Sequence, residues 1–259
     1  MHWILQENFL SEPGRSALIA ALERFGIGYS VHAVVPKVGD LMPEPKLEHR
    51  NVICIGSYSL RPAIARHAWT PGLFDIFDQD FEKQRERWGG HMLNDASVVS
   101  NVRDAAFTEE RMFVRPVNDS KHFTGRVFTA QEFGDWQRSI CEGGRPQGSS
   151  LMPETRIQLA PPITIHAEFR FWIVKNEIVT QSLYKYAGRP LASREVEDQF
   201  AAFVSDRIRE WLPHESFVLD VCDTPDGIKI VEVNTLNCSA LYAADVQRLV
   251  LALEGAYSR

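Results

Sequence analysis

Hydrophobic positions in the first part of the chain follow two alternating patterns. Short runs with β-branched and aromatic residues are typical of strands, and these runs are HWILQ, YSVHAVVP and NVICIGS. Between the first two, GRSALIAALERFG spaces its apolar residues as a helix does and ends at Gly26. Strands that alternate with helices favour a parallel sheet, in which VICIG is apolar enough to be central. We therefore predict a small parallel α/β domain over residues 1–90.

The pattern changes after the charged segment that ends at Gly89 and Gly90. ERMFVRPVNDSKHFTGRVFT predicts a strand, a polar loop and a second strand. The next stretch, EFGDWQRSICEGGRPQGSS, predicts a helix followed by a flexible connection near residues 145–155. From RIQLA onwards, strand segments are joined by short polar turns, which indicates antiparallel pairing with helices interspersed. The predicted segments are thus 1–90, 91–150 and 151–259.

Three oxygen-bearing side chains converge on a predicted hairpin in the last segment. TPDG at residues 224–227 is a turn signal, and a three-residue loop with Gly227 in the left-handed conformation makes FVLDV and KIVEVN antiparallel neighbours. Alternate side chains of a strand share a face, so Glu232 and Asn234 point the same way. In this register Asp220 lies opposite Glu232, and Asn234 is diagonal to it.

The two facing carboxylates call for a cation, because like charges opposite each other on a hairpin repel. Oxygen ligands without His or Cys suit Mg²⁺, which typically takes one or two protein carboxylates plus substrate phosphates. The alternative interpretation is an exposed edge hairpin whose acids are solvated.

A second polar set lies within the apolar segment HAEFRFWIV. Glu168 and Arg170 share one face of this predicted strand, and their Phe, Trp and Ile neighbours imply burial. A buried arginine is costly unless it meets an anion. Arg170 therefore either binds an anionic ligand or forms an internal bridge with Glu168.

A third set surrounds the polar loop of FVRPVNDSKHFTG. Arg115 leaves a strand, and Lys121 lies in the loop, which ends at Gly125. Cations that flank a flexible loop commonly hold phosphates, because Arg offers a bidentate fork and Lys a point charge. The alternative is a solvated charged loop.

Composition narrows the class of protein. The 259 residues are 44% hydrophobic and 24% charged, which is ordinary for a globular chain that builds its core without disulfides. A net charge of -6 argues against a broad nucleic-acid footprint. The four cysteines form no CxxC and fit a reducing cytoplasm. No basic leader and no run of roughly 18 apolar residues is present, so we expect a cytoplasmic protein with no membrane span.

The order of the three polar sets resembles the ATP-grasp superfamily, and in particular its compact bacterial and phage members. A cationic strand and loop precede a strand with Glu-x-Arg, and then Asp on one strand precedes Glu-x-Asn on the next. The resemblance covers about residues 90 to 255. It implies an ATP-grasp fold of two α+β subdomains, 91–150 and 151–259, after an α/β domain of the kind that usually precedes that fold.

The resemblance also implies roles for residues. Asp220, Glu232 and Asn234 bind Mg²⁺. Arg115 and Lys121 contact the phosphates of ATP, and Arg170 holds the γ-phosphate or an acyl phosphate. Glu168 and Lys185 are further candidates at the nucleotide. Backbone groups near Gln158, Leu159 and Ala160 read the adenine edge. Catalysis is expected to depend on Arg170, Lys121 and Glu232.

The implied reaction activates a carboxylate as an acyl phosphate that an amine then attacks. Positioning and charge neutralisation dominate such phosphoryl transfer. The substrates implied are small molecules or peptides. The alternatives are a small-molecule kinase on the same fold and a non-catalytic nucleotide-binding or interaction module. Cys238 has no paired His in the sequence argument, and Asn237 and Ser239 are interpreted as lining the acceptor end of the site.

Overall fold

The structure is a computed structural model that describes residues 1–76, 80–118, 123–143 and 151–258. It divides into two compact units. Unit 1 consists of Met1–Phe77, Ile165–Asp223 and Ile230–Arg259, and unit 2 consists of Asp78–Thr164 and Thr224–Lys229. Most of the connection predicted near residues 145–155 lies outside the described residues.

The elements are numbered in chain order. The strands are β1 (His2–Gln6), β2 (Gly28–Val34), β3 (Leu41–Met42), β4 (Asn51–Ile55), β5 (Thr70–Gly72), β6 (Val98–Asn101), β7 (Arg111–Pro116), β8 (Arg126–Thr129), β9 (Arg156–Ala160), β10 (Ala167–Val174), β11 (Glu177–Tyr186), β12 (Arg189–Ser193), β13 (Ser216–Thr224) and β14 (Gly227–Asn234). The α-helices are α1 (Gly14–Arg24), α2 (Arg61–His67), α3 (Phe81–Trp88), α4 (Ala130–Cys141), α5 (Asp198–Glu210) and α6 (Val246–Tyr257).

The beginning of unit 1 is the predicted parallel sheet. Its strand order is β3-β2-β1-β4-β5. β1 runs parallel to both β2 and β4, and β4 runs parallel to β5, whereas the two-residue β3 is antiparallel to β2. Four of the five residues of β4 are buried, which agrees with the interior position predicted for VICIG.

The second sheet of unit 1 has the order β12-β11-β10-β13-β14. β10 pairs antiparallel with β11 on one side and with β13 on the other. All eight of its residues are buried, including Glu168 and Arg170. Because both neighbours of β10 supply partners, the polar groups on this strand are placed by two strands at once.

The two sheets of unit 1 share one core. Trp3 and Ile53 of the parallel sheet belong to the same buried cluster as Trp172 and Val218 of the second sheet. Helix α6 contributes its buried face to this cluster as well. The N-terminal α/β segment is therefore packed into the same hydrophobic core as the C-terminal segment.

Unit 2 contains the sheet β6-β9-β7-β8, and its strand pairs are antiparallel. Its core includes Val114, Phe128, Phe133 and Ile157. Helix α4 begins with a capping box, in which the Thr129 side chain and the residue at N3 satisfy each other's backbone N–H groups. β9, which falls in the predicted third segment, pairs with two strands of the second. The division of the chain into 1–90, 91–150 and 151–259 stays a prediction.

The predicted hairpin is formed by β13 and β14, which are adjacent in the sheet. Gly227 has φ +94°, as the turn prediction requires. β14 begins at Gly227 itself, so Pro225 and Asp226 alone separate the two strands, one residue fewer than predicted. The Thr224 hydroxyl donates to the Gly227 carbonyl over 2.7 Å and closes the turn.

Candidate functional site

A buried ion pair lies at the centre of the second sheet. Arg170 of β10 and Asp220 of β13 are cross-strand partners. The guanidinium donates twice, from Nε to Oδ1 and from Nη2 to Oδ2, both over 2.7 Å. Asp220 is 1% exposed and Arg170 is 7% exposed. The pair therefore has the bidentate geometry that compensates best for the desolvation of two charges.

Asn234 links this pair to the second predicted carboxylate. Its Nδ2 donates to Asp220 Oδ2 over 3.3 Å and to Glu232 Oε1 over 2.9 Å. The structure thus brings together the three residues that the sequence placed on one hairpin face. The amide N–H groups bridge two carboxylates, and a cation in the same place would satisfy both of them.

The charges at this cluster favour a bound cation. Burial, with repulsion from Glu232 and Glu168, raises the pKa of Asp220 to about 6, despite the opposing attraction of Arg170. Burial also opposes the charge of Arg170, but the adjacent Asp220 carboxylate outweighs it and raises the pKa of Arg170. The carboxylate charge here exceeds what one arginine neutralises.

Arg170 does not form the bridge to Glu168 that the sequence left open. It pairs with Asp220, whereas Glu168 accepts from Lys185 Nζ over 2.6 Å and from the Tyr184 hydroxyl over 2.7 Å. The reason is a β-bulge. Glu168 pairs with Lys185 and Phe169 pairs with Leu183, so the strand β11 has one extra residue at Tyr184. The bulge lets two consecutive side chains reach one carboxylate.

Two tyrosines cover the arginine, and the sequence analysis did not select either. The rings of Tyr184 and Tyr242 are stacked, with centroids 4.9 Å apart and an angle of 11° between planes. The Arg170 guanidinium carbon lies 5.5 Å from the first ring centroid and 5.1 Å from the second. Tyr242 has φ +44°, which is uncommon for a bulky side chain. No sequence pattern marks this loop conformation.

The predicted phosphate and adenine residues of unit 2 lie on neighbouring strands. Arg115 of β7 is the cross-strand partner of Gln158 on β9. Gln158 is buried and accepts from the Ser97 hydroxyl over 3.2 Å. Gln158 and Leu159 have strand partners on both sides, whereas Ala160 is paired on one side only among the described strands. Ala160 therefore has the more accessible backbone edge of the three.

The loop that carries the predicted lysine ends against Arg115. A Cβ at Gly125 would lie 2.7 Å from the Phe113 ring and 2.9 Å from Arg115 Cβ, so only glycine fits this approach. Lys121 itself lies outside the described residues.

Asn237 and Ser239 do not line an acceptor site, which corrects the sequence interpretation. Asn237 is fully buried, accepts from the Phe74 backbone N–H over 3.2 Å and donates to the Gly56 carbonyl over 3.0 Å. Ser239 is buried and donates to the Thr235 carbonyl over 2.7 Å. Both side chains satisfy backbone groups, so they fix the chain that follows β14.

Mg²⁺ fits the ligand set better than a softer metal does. Across the ranges that the structure describes, no group of three or more His, Cys, Asp or Glu side chains is arranged to hold a metal. Asp220, Glu232 and Asn234 supply two carboxylates and an amide instead. Two protein carboxylates completed by phosphate oxygens form a typical Mg²⁺ site.

Comparison with known proteins identifies the family. A model of an ATP-grasp domain, the third family of its clade within that superfamily, matches residues 69–253, and the chain belongs to this ATP-grasp family. No curated protein matches the chain. In the parts of the chain described here, no helix is long and apolar enough to cross a membrane.

Solved structures of ATP-grasp ligases share the fold. D-alanine–D-alanine ligase from Bacillus anthracis complexed with ATP is 11% identical with a TM-score of 0.66, covering 100% of this chain and 98% of that one. D-cycloserine synthetase DcsG is 14% identical with a TM-score of 0.62, covering 98% and 99%. Macrocyclase MdnC from Microcystis aeruginosa MRC, bound with precursor peptide MdnA, is 12% identical with a TM-score of 0.60, covering 100% of both. The predicted fold class is confirmed.

Proposed function

We propose that this protein is an ATP- and Mg²⁺-dependent ligase that activates a carboxylate and joins it to an amine. The observation that carries the proposal is the buried cluster of Arg170, Asp220, Asn234 and Glu232, held on three adjacent strands. ATP-grasp family membership supports nucleotide binding, and the ligases that share the fold support the reaction class.

The cluster assigns each residue a role. Asp220, Glu232 and Asn234 would hold Mg²⁺, which supplies charge neutralisation at the phosphates. Arg170 is fixed by its bidentate pair and by donation from Nη1 to the Ala240 carbonyl over 3.4 Å. A guanidinium held in this way needs little reorganisation to stabilise charge that develops on a transferring phosphoryl group.

Other predicted residues extend the nucleotide site in this proposal. Glu168 and Lys185, already ion-paired, would lie near the phosphates. Arg115 and Lys121 would contact phosphate oxygens, and the backbone at Gln158–Ala160 would contact adenine, with Ala160 the most accessible of the three.

The chemistry then proceeds in two steps. The substrate carboxylate oxygen attacks the γ-phosphorus, and the bond to ADP breaks. The amine nitrogen attacks the acyl carbon, loses a proton, and inorganic phosphate leaves. The protein needs no nucleophile of its own for either step. The Cys238 thiol is accordingly engaged elsewhere, because it donates to the Gly56 carbonyl over 3.2 Å.

A product assay tests the proposal. The protein is incubated with Mg²⁺-ATP and pooled carboxylates and amines, including peptides, and ADP and inorganic phosphate are measured separately. We expect equal amounts of both products only when a carboxylate and an amine are present together. Glu232→Gln should lower turnover by about a hundredfold or more. Glu177→Gln, an exposed carboxylate at the start of β11, is the matched control and should leave turnover unchanged.

Other outcomes would contradict the proposal in distinct ways. ADP without inorganic phosphate would indicate transfer to a stable acceptor and therefore a kinase. Bound ATP without ADP for any pool would indicate a nucleotide-binding module. Full turnover in Glu232→Gln would remove the metal assignment.

A further inference from the structure

A polar cleft of about 430 Å³ opens beside the tyrosine pair in unit 1. One wall is helix α1 and the residue before it, and the other wall is the loop that leads into α6. The lining residues are Pro13, Ala17, Ala20, Arg194, Tyr242, Ala243, Ala244, Asp245, Val246 and Gln247. The volume lies in the range typical of small-molecule sites.

Arg194 is held in this cleft by the backbone of the loop. Its Nε donates to the Ala243 carbonyl over 3.0 Å, and its Nη2 donates to the Ala244 carbonyl over 3.4 Å. Nη1 has no hydrogen-bond partner among the described residues. The guanidinium is therefore positioned and still has donors available for an anion.

The opposite charge in the cleft is Asp245. Its Oδ1 accepts from the backbone N–H of Arg248 over 3.0 Å and caps α6. Its Oδ2 has no partner within the described part of the chain, so one carboxylate oxygen is available for a cation. The loop itself is fixed, because the Ala243 and Asp245 N–H groups donate to side chains of β11 over 3.2 and 2.8 Å.

The cleft therefore presents one fixed positive and one fixed negative group side by side. An apolar ligand would cover both charges without pairing them, and a phosphate would be repelled by the carboxylate. A molecule that carries a carboxylate and an ammonium group on neighbouring atoms satisfies both. The small side chains of Ala17 and Ala20 leave room for it.

We propose that this cleft binds a free α-amino acid, with its carboxylate on Arg194 and its ammonium group on Asp245. The proposal rests on the proposed ligase function, for which it names the class of one substrate. Tyr242 connects the two sites, since it lines the cleft and its ring centroid lies 5.1 Å from the Arg170 guanidinium carbon. A bound amino acid is thus separated from the arginine of the nucleotide site by one aromatic ring.

Binding of amino acids tests this assignment directly. Calorimetry or ligand-detected NMR on the full chain uses pooled L-amino acids, with and without Mg²⁺ and a non-hydrolysable ATP analogue. Each amino acid that binds is then compared with its amide, which lacks the carboxylate, and its N-acetyl derivative, which lacks the ammonium group. We expect both derivatives to bind at least about tenfold more weakly, the equivalent of one charge-assisted hydrogen bond.

Variants identify the residues. Asp245→Asn keeps the helix cap, because Asn caps as well as Asp, and should weaken amino-acid binding at least about tenfold. Asp198→Asn removes a matched charge from the first turn of α5 and should have no effect. Ala17→Leu adds bulk at an exposed cleft position and should also abolish binding. Arg248→Met should have no effect, since Arg248 lines only a neighbouring cleft that shares Arg194 and Asp245.

Three results would overturn the proposal. They are no binding of any pooled amino acid at millimolar concentration, unchanged binding in Asp245→Asn, and loss of binding in Arg248→Met, which would place the ligand in the neighbouring cleft. Mg²⁺-ATP binding is measured on the same samples. If it persists in any of these cases, the substrate assignment fails while the nucleotide site stands, whereas its absence would count against the proposed function itself.

Discussion

Replacing Arg170 by Met should destabilise the protein strongly, because it leaves a buried carboxylate unpaired. Asp220 is 1% exposed and receives two 2.7 Å hydrogen bonds from this guanidinium. Removing one partner of such a pair typically costs about 3–5 kcal/mol. For a chain of this size that corresponds to a fall in melting temperature of roughly 6–20 °C.

The double variant Arg170→Met/Asp220→Leu separates this effect from lost packing. Replacing both members of a buried pair by apolar groups is often neutral or stabilising. We therefore expect the double variant to be more stable than Arg170→Met alone by about 2 kcal/mol or more, which is the coupling energy of a contacting pair. Urea unfolding of the four proteins, wild type, both single variants and the double variant, gives this energy.

The reasoning would be refuted by two outcomes. In the first, Arg170→Met unfolds within about 1 kcal/mol of the wild type, which would mean that the carboxylate is solvated. In the second, the double variant is no more stable than the sum of the single variants predicts, which would mean that the two side chains do not interact energetically.

Three smaller perturbations follow from contacts elsewhere. Asn237→Ala should cost about 1–3 kcal/mol in urea unfolding, because the Phe74 N–H is left buried and unpaired, and a loss below about 0.5 kcal/mol would contradict that role. Thr129→Ala should cost about 1 kcal/mol through loss of the α4 cap, with Thr129→Ser as the control that retains stability. The hydrogen bond from Lys175 lowers the pKa of Glu215, so the stability that it provides is present above about pH 4.5 and lost as the pH falls through the lowered value. The stability difference between the wild type and Glu215→Gln should therefore shrink on acidification, and a constant difference would contradict the assignment.

The sequence predicted what depends on local pattern. Alternation along β14 placed Glu232 and Asn234 on one face, and the turn signal at Gly227 brought Asp220 beside them. The parallel N-terminal sheet followed equally from short apolar runs. These features depend on strand periodicity and turn chemistry, which a single sequence displays.

Features that depend on tertiary contact were not predictable. The bulge at Tyr184 redirects Glu168 from Arg170 towards Lys185, and no residue type marks it. The position of Tyr242 depends on a positive φ in a loop fixed by contacts with β11. The buried role of Asn237 likewise depends on backbone groups far away in sequence.

Helix α6 and strands β6 and β12 were also missing from the sequence prediction. α6 is uniformly apolar on one face but follows a polar loop without a strong helix-start pattern. β12 is almost entirely exposed, so it lacks the apolar alternation that identifies a strand. Both α6 and β12 are stabilised by neighbours rather than by their own composition.

Thermal unfolding with and without Mg²⁺-ATP tests the central claim most directly, because it needs no knowledge of the substrates. Saturation to a hundred times the dissociation constant adds about 2.7 kcal/mol, or roughly a 5–10 °C rise in melting temperature. We expect this rise only with ATP and Mg²⁺ together, not with Mg²⁺ alone and not to the same extent with GTP. It should be lost in Glu232→Gln and retained in Glu177→Gln. No rise at millimolar Mg²⁺-ATP, or a full rise in Glu232→Gln, would contradict the assignment of Asp220, Glu232 and Asn234 as the metal site of a nucleotide-dependent ligase.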